Sequence, residues 1–290
     1  MYKAKLHSQF LGEIAKINFS QCFLRKKCFR MGINMNYKLL ADTAMLAGEI
    51  MLVSGAETYR VEDTMCRMLA TSHLETIEVI VISTAIIITL DDKSIDTISI
   101  TKRAGEKSTN LGNICEVNSI SREYCAGKIT LEEAYERLEN ISSASGYSSG
   151  MIHLCTLATV GFFTMVLGGT WLDTLIAVLC GTSLSFCKIL FKNRPTSGFI
   201  YNLTAVALGA FVAVIIQAVF DLNLNMETLV TGVAMPLLPG AAITNAIRDT
   251  LQGDYISGAG RIVEAFVIAI SLGVGIGFGL YLGNVVTGIL

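Results

Sequence analysis

The chain has 290 residues and 31.3 kDa, of which 52% are apolar and only 16% charged, with a mean hydropathy of +0.56 and a formal charge of −2. These values exclude a disordered chain, a collagenous chain and an ordinary soluble enzyme. The averages also conceal a division: 35 of the 46 charged residues fall in 1–139 and 11 in 140–290, so two chemically different halves meet near residue 145.

Residues 1–38 carry eight basic side chains and one acid, Glu13, giving about +7 against −9 for the remainder. Residues 1–36 are read as a basic leader. It is either an amphipathic arm for anionic lipid or an upstream extension, with Met31 or Met35 as the working start. No apolar run of signal-peptide length accompanies it.

Residues 37–147 are expected to form a cytoplasmic α+β domain. Apolar positions recur at helical spacing from Tyr37 to Leu74, with Ser54-Gly55 as a hinge between two helices. Glu57, Arg60, Asp63 and Arg67 then stack alternating charges on one helical face, as a solvated ion-pair stripe or a partner-binding surface. Residues 77–90 are rich in Val, Ile and Thr. Asp91-Asp92-Lys93-Ser94 breaks that run and 95–101 alternates again, which predicts a β-hairpin. Helices are expected over 107–126 and 130–142, the second opening on a Thr130/Glu133 capping box.

Few enzyme signatures are present. The three histidines are scattered, the eight cysteines form no C-x-x-C pair, and neither a metal nor a cofactor is implied. Gly146-Tyr147-Ser148-Ser149-Gly150 matches the G-x-S-x-G nucleophile elbow, which would make Ser148 with His153 a membrane-anchored serine hydrolase. A helix precedes the motif and a membrane span follows it, so a Ser/Gly joint at the membrane surface fits better.

Residues 148–290 read as a five-helix transmembrane bundle with spans near 151–170, 172–191, 198–220, 228–247 and 265–290. Lys192, Arg194, Arg248 and Arg261 fall in the even-numbered connections. The other connections hold only Asp173, Asp221 and Glu227. This asymmetry places the N-terminal half in the cytoplasm and the C-terminus outside.

The fourth span contains two of the three prolines, Pro236 and Pro239, in Met235-Pro236-Leu237-Leu238-Pro239-Gly240. Each proline removes a backbone donor, so the helix is expected to break at mid-membrane depth. Broken spans in secondary transporters build substrate sites, because the positive end of the second half-helix faces an anion. Pro239, Gly240, Thr244, Asn245 and Arg248 are therefore the candidate substrate-binding residues. Asp249, Asp254 and Glu264 are candidate proton-coupling carboxylates at the membrane boundary. In the last span, Ala265–Ala269–Gly273–Gly277 and Ser271–Gly275–Gly279–Gly283 form two rows of small residues for close helix approach, and some of the approaching protein is expected to be another subunit.

Two segments carry a family resemblance: Ser54-Gly55-Ala56-Glu57-Thr58-Tyr59-Arg60-Val61-Glu62-Asp63, and Leu238-Pro239-Gly240-Ala241 followed by Asn245, Asp249, Gly253-Asp254, Ser257-Gly258 and Arg261. From about Tyr37 to its end the chain resembles the threonine/serine exporter family (ThrE type), and within it the longer subunit of the split, two-component form. The resemblance implies export of small metabolites such as threonine, serine or a dicarboxylate like succinate across the plasma membrane. It also implies a smaller membrane subunit in trans or a homo-oligomer, and no nucleic-acid partner. Gly55, Glu57, Arg60 and Glu62 are the motif positions it marks in the cytoplasmic domain. A non-transporting scaffold is the remaining alternative, although a scaffold has no need of two prolines at mid-membrane depth.

Overall fold

In a computed structural model, residues 36–105, 108–144, 147–191 and 197–288 are described below. The basic leader, Gly146 of the G-x-S-x-G motif and the Lys192/Arg194 pair lie outside these residues.

The N-terminal half is organised around α1 (Tyr37–Val53), which buries ten of its 17 residues on nearly all sides, as an apolar helix with no solvated face must. Helix α2 (Thr58–Leu69) packs on it, and Met65 of α2 occupies the space where Gly48 lacks a Cβ. The expected hinge is present at Gly55, whose φ of +88° suits glycine and turns the chain from α1 into α2.

The sheet departs from expectation. The run 77–90 is not one strand of a hairpin but two, β1 (Thr76–Ile82) and β2 (Ala85–Asp92), folded back at Ser83-Thr84. With β3 (Ile95–Arg103) they form a three-stranded antiparallel meander. Ser-Thr carries none of the Gly, Asn or Asp that mark tight hairpin turns, so the apolar run looked continuous. Val79, Val81, Ile86, Ile88 and Leu90 supply the buried face.

Helix α3 (Leu111–Cys125) starts later than expected because the Asn110 side chain accepts from Asn113 N–H and caps it there. Helix α4 (Leu131–Ser143) begins as predicted, with Thr130 Oγ accepting from Glu133 N–H at 3.2 Å. Arg137 bridges Glu133 and Glu123, fastening α4 to α3.

Four helices of the second half are long and apolar enough to cross a membrane: α5 (Ser149–Val166), α6 (Trp171–Phe191), α7 (Gly198–Phe220) and α10 (Tyr255–Thr287). Between α7 and α10 the break occurs where the prolines place it. Helix α8 (Met226–Ala234) tightens into a 3-10 turn at Met235–Leu237, and α9 (Gly240–Gln252) leaves at 57° to it. Counting this bent pair as one span gives five.

The connection expected between the fourth and fifth spans is itself helical. Helix α10 starts at Tyr255 rather than near residue 265 and runs 33 residues, about 50 Å at 1.5 Å per residue, well beyond a ~30 Å bilayer core. The turn from α9 is tight, at Gly253 with φ +96°. The polar residues there looked like loop residues, but they serve contacts to the N-terminal half.

Of the two expected rows of small residues, one is used within the chain. Gly275, Gly279 and Gly283 lie against Leu203, Ala207 and Val214 of α7 in ascending order, so α7 and α10 run parallel at backbone contact. Nothing lies within 4 Å of where a Cβ would stand on Gly273 or Gly277.

At the end of the bundle remote from the α9–α10 turn, the buried Asp173 carboxylate accepts from Thr170 N–H, Thr170 Oγ–H and Asn225 N–H at 2.8–2.9 Å. It thereby ties the α5–α6 turn to the start of α8.

Candidate functional site

The two motif segments, about 190 residues apart in sequence, meet. The turn from Gly55 to Thr58 docks on the hairpin of α9 and α10, through both its backbone groups and the side chains of Glu57 and Thr58. Asn245 Nδ2 donates to Gly55 O at 2.8 Å, and Arg261 Nη2 donates to Ala56 O at 2.8 Å. The Glu57 carboxylate pairs with Arg248.

Thr58 is the centre of the junction. Its N–H and its hydroxyl both reach Asp249 Oδ1, at 3.2 and 2.9 Å. Glu57 makes no side-chain cap on α2, so the carboxylate of Asp249 satisfies the open N-terminus of α2 from another part of the chain. Arg261 Nε stands 2.9 Å from Asp249 Oδ2, with side-chain exposures of 3% and 1%. The two are in charge contact, but the N–H is not aimed at Oδ2, so this pair adds attraction without a directed hydrogen bond.

The Thr58 hydroxyl also lies 3.0 Å from Asp254 Oδ2. A hydroxyl has one proton to donate. The carboxylates of Asp249 and Asp254 therefore share one donor at Thr58. Asp254 also acts on Glu62 of α2. Burial first, then the charges of Asp254 and Glu78, push the Glu62 carboxyl above the usual carboxylate range.

The sequence-predicted residues thus separate. Asn245, Arg248, Asp249, Asp254 and Arg261 gather at Gly55–Thr58. Glu62 lies near Asp254, and Glu264 is half-buried on α10 one turn beyond Arg261. Pro239 and Gly240 lie at the start of α9, and Thr244 one turn on, beside Asn245. Thr244 Oγ donates back to Gly240 O, and the first turn at Gly240 is exposed. Thr58 was inside the quoted motif without an assigned role, and the acceptor role of Gly55 and Ala56 carbonyls leaves no mark in a sequence.

The Ser148–His153 pair is arranged differently from a hydrolytic dyad. Ser148 Oγ accepts from Met151 N–H at 3.3 Å and caps α5, while His153 Nδ1 hydrogen-bonds Ser185 of α6. Of the alternating-charge stripe, Asp63 and Arg67 pair at 2.9 Å, but Glu57 is drawn away to Arg248. No group of three or more His, Cys, Asp or Glu side chains suited to a metal occurs among the described residues.

The family described as "Putative threonine/serine exporter" matches residues 42–283, which takes in both halves of this junction and all the apolar helices. The chain belongs to the threonine/serine exporter family. Among curated proteins, it is 20% identical over 231 residues to "Pheromone-regulated membrane protein 10" of Eremothecium gossypii, covering 79% of this chain and 31% of that protein. It is 24% identical over 184 residues to "Uncharacterized protein C16A10.01" of Schizosaccharomyces pombe, covering 60% and 22%. The chain therefore spans less than a third of the length of these relatives. No solved structure matches it. Family membership and the apolar helices make this a membrane protein of a transporter family.

Proposed function

We propose that the chain is the membrane half-transporter of a proton-coupled exporter of small metabolites, threonine or serine or a dicarboxylate such as succinate. It sits in the plasma membrane with the α+β half in the cytoplasm and the C-terminus outside. A smaller membrane subunit or a second copy completes it. The observation that carries this reading is the convergence of the α2 N-terminus with the hairpin following the broken span. A shift of α9 at the break is thereby linked to the cytoplasmic half through Thr58.

The coupling proton is assigned to Asp254 with Glu62. Asp254 shares the Thr58 hydroxyl with Asp249, and burial first, then the charge of Asp254, biases Glu62 toward its neutral form. Asp249 is engaged with Arg261 and serves to hold the junction. The substrate is assigned to the exposed first turn of α9, at Pro239, Gly240 and Thr244, where the positive end of the helix favours a carboxylate.

Efflux from preloaded vesicles tests the reading. Threonine, serine or succinate should leave faster than background when an inward proton gradient is imposed. Background rates for all three, with and without the smaller subunit, would overturn it.

A further inference from the structure

Apart from the junction, α2 and α3 enclose a hollow of about 130 Å³. Three arginines line it, Arg60 and Arg67 from α2 and Arg122 from α3, together with Asp63, Asn118 and Ser121. The sequence suggested a charge-balanced stripe on this face of α2. The fold removes that balance, because Glu57 turns to Arg248 on the far side of the junction. Asp63 is the single carboxylate left, and it is held by Arg67. Among the described residues, Arg60 and Arg122 have no carboxylate partner.

Two uncommitted guanidinium groups facing one hollow are a receptor for a doubly charged oxyanion. Each presents a planar fork of N–H donors matched to a carboxylate or a phosphate. Ser121, only 5% exposed and hydrogen-bonded to Cys125, is a further polar residue of the lining. A zwitterionic amino acid, with no net charge, would place its ammonium against the excess positive charge, so the site discriminates against it.

We propose that this hollow is a binding site for a small dianion, either a phosphate group or a dicarboxylate, held between Arg60 and Arg122. The site lies two residues from Thr58 along α2, so its occupant sits on the same helical turn as the junction. The proposal concerns binding alone and is independent of what the protein transports.

Calorimetric titration of the full chain in detergent at low ionic strength, with succinate, inorganic phosphate, threonine and chloride, tests it. Saturable binding of a dianion that the variants below weaken is expected, with chloride inert and any threonine binding unchanged in those variants. Succinate alone would identify a dicarboxylate site, and phosphate alone a phosphate site. Arg122→Gln and Arg60→Gln should each weaken binding by about tenfold or more, the loss of one charge-assisted hydrogen-bonding group. The unfolding temperature of the unliganded variants should stay at the wild-type value, since both side chains are exposed. Absence of saturable binding by either dianion, or unchanged affinity in both variants, would overturn the proposal.

Discussion

Asp249 and Arg261 face each other at 2.9 Å with almost no solvent on either side, one on α9 and the other on α10, and between them they hold three groups of the Gly55–Thr58 turn. A buried pair of this kind costs much to desolvate, so its worth lies in its completeness. Removing one partner strands a charge. Asp249→Ala or Arg261→Ala should destabilise the protein by about 3–5 kcal/mol, read as a loss of unfolding temperature in detergent. The double variant should cost less than the two singles added together.

Thr58→Val keeps the shape of the side chain and removes its hydroxyl. The hydroxyl sits between two carboxylates, so a loss of about 1.5–3 kcal/mol is expected, with Thr58→Ser close to wild type. If Thr58 links the halves, the Val variant should also slow efflux in vesicles while Ser preserves it. Equal efflux in all three proteins would remove Thr58 from the mechanism.

Glu62 carries a pH signature. Its folded-state carboxyl holds its proton more tightly than in the unfolded chain, mainly through burial and then through Asp254 and Glu78. The stability it contributes is present below the unfolded value and is lost as pH rises through the raised folded one. Unfolding temperature should therefore fall over that acidic-to-neutral window in wild type. Glu62→Gln should flatten the fall and make the protein more stable at neutral pH. A variant with the wild-type pH profile would show that another group sets it.

The last helix offers a paired comparison. A Cβ at Gly279 would collide with the backbone of Ala207, where a bulky residue forces α7 and α10 apart, whereas Gly277 has open space. Gly279→Val should destabilise by about 1–3 kcal/mol or more, and Gly277→Val by less than about 0.5 kcal/mol. If the open row meets another subunit, Gly277→Val should shift the oligomer toward monomer in size-exclusion chromatography without changing the melt.

What was legible in the sequence followed from signals that do not depend on distant neighbours. Long apolar runs gave the helices of the second half, Gly55 gave the hinge, Thr130 gave a cap, and Pro236 with Pro239 gave the break. Local signals failed where a contact elsewhere decided the outcome. The turn at Ser83-Thr84 has no turn residues of its own, because pairing and burial of β1 and β2 impose it. Residues 248–264 looked like a polar connection because their charges belong to an interface. The motif residues stood out one by one, but nothing in their spacing showed that Asp249 would cap a helix beginning at Thr58.

The unbroken α10 gives the molecule a continuous strut. It is clasped at Arg261 by the Gly55–Thr58 turn and bears on α7 at Gly275, about 21 Å along its axis, before continuing about 18 Å to Thr287. Because α7 also meets it at Gly279 and Gly283, the helix is held to α7 over most of its outer part, and a movement at the junction would carry α7 with it. No chain of side-chain rearrangements through the bundle is required to carry it.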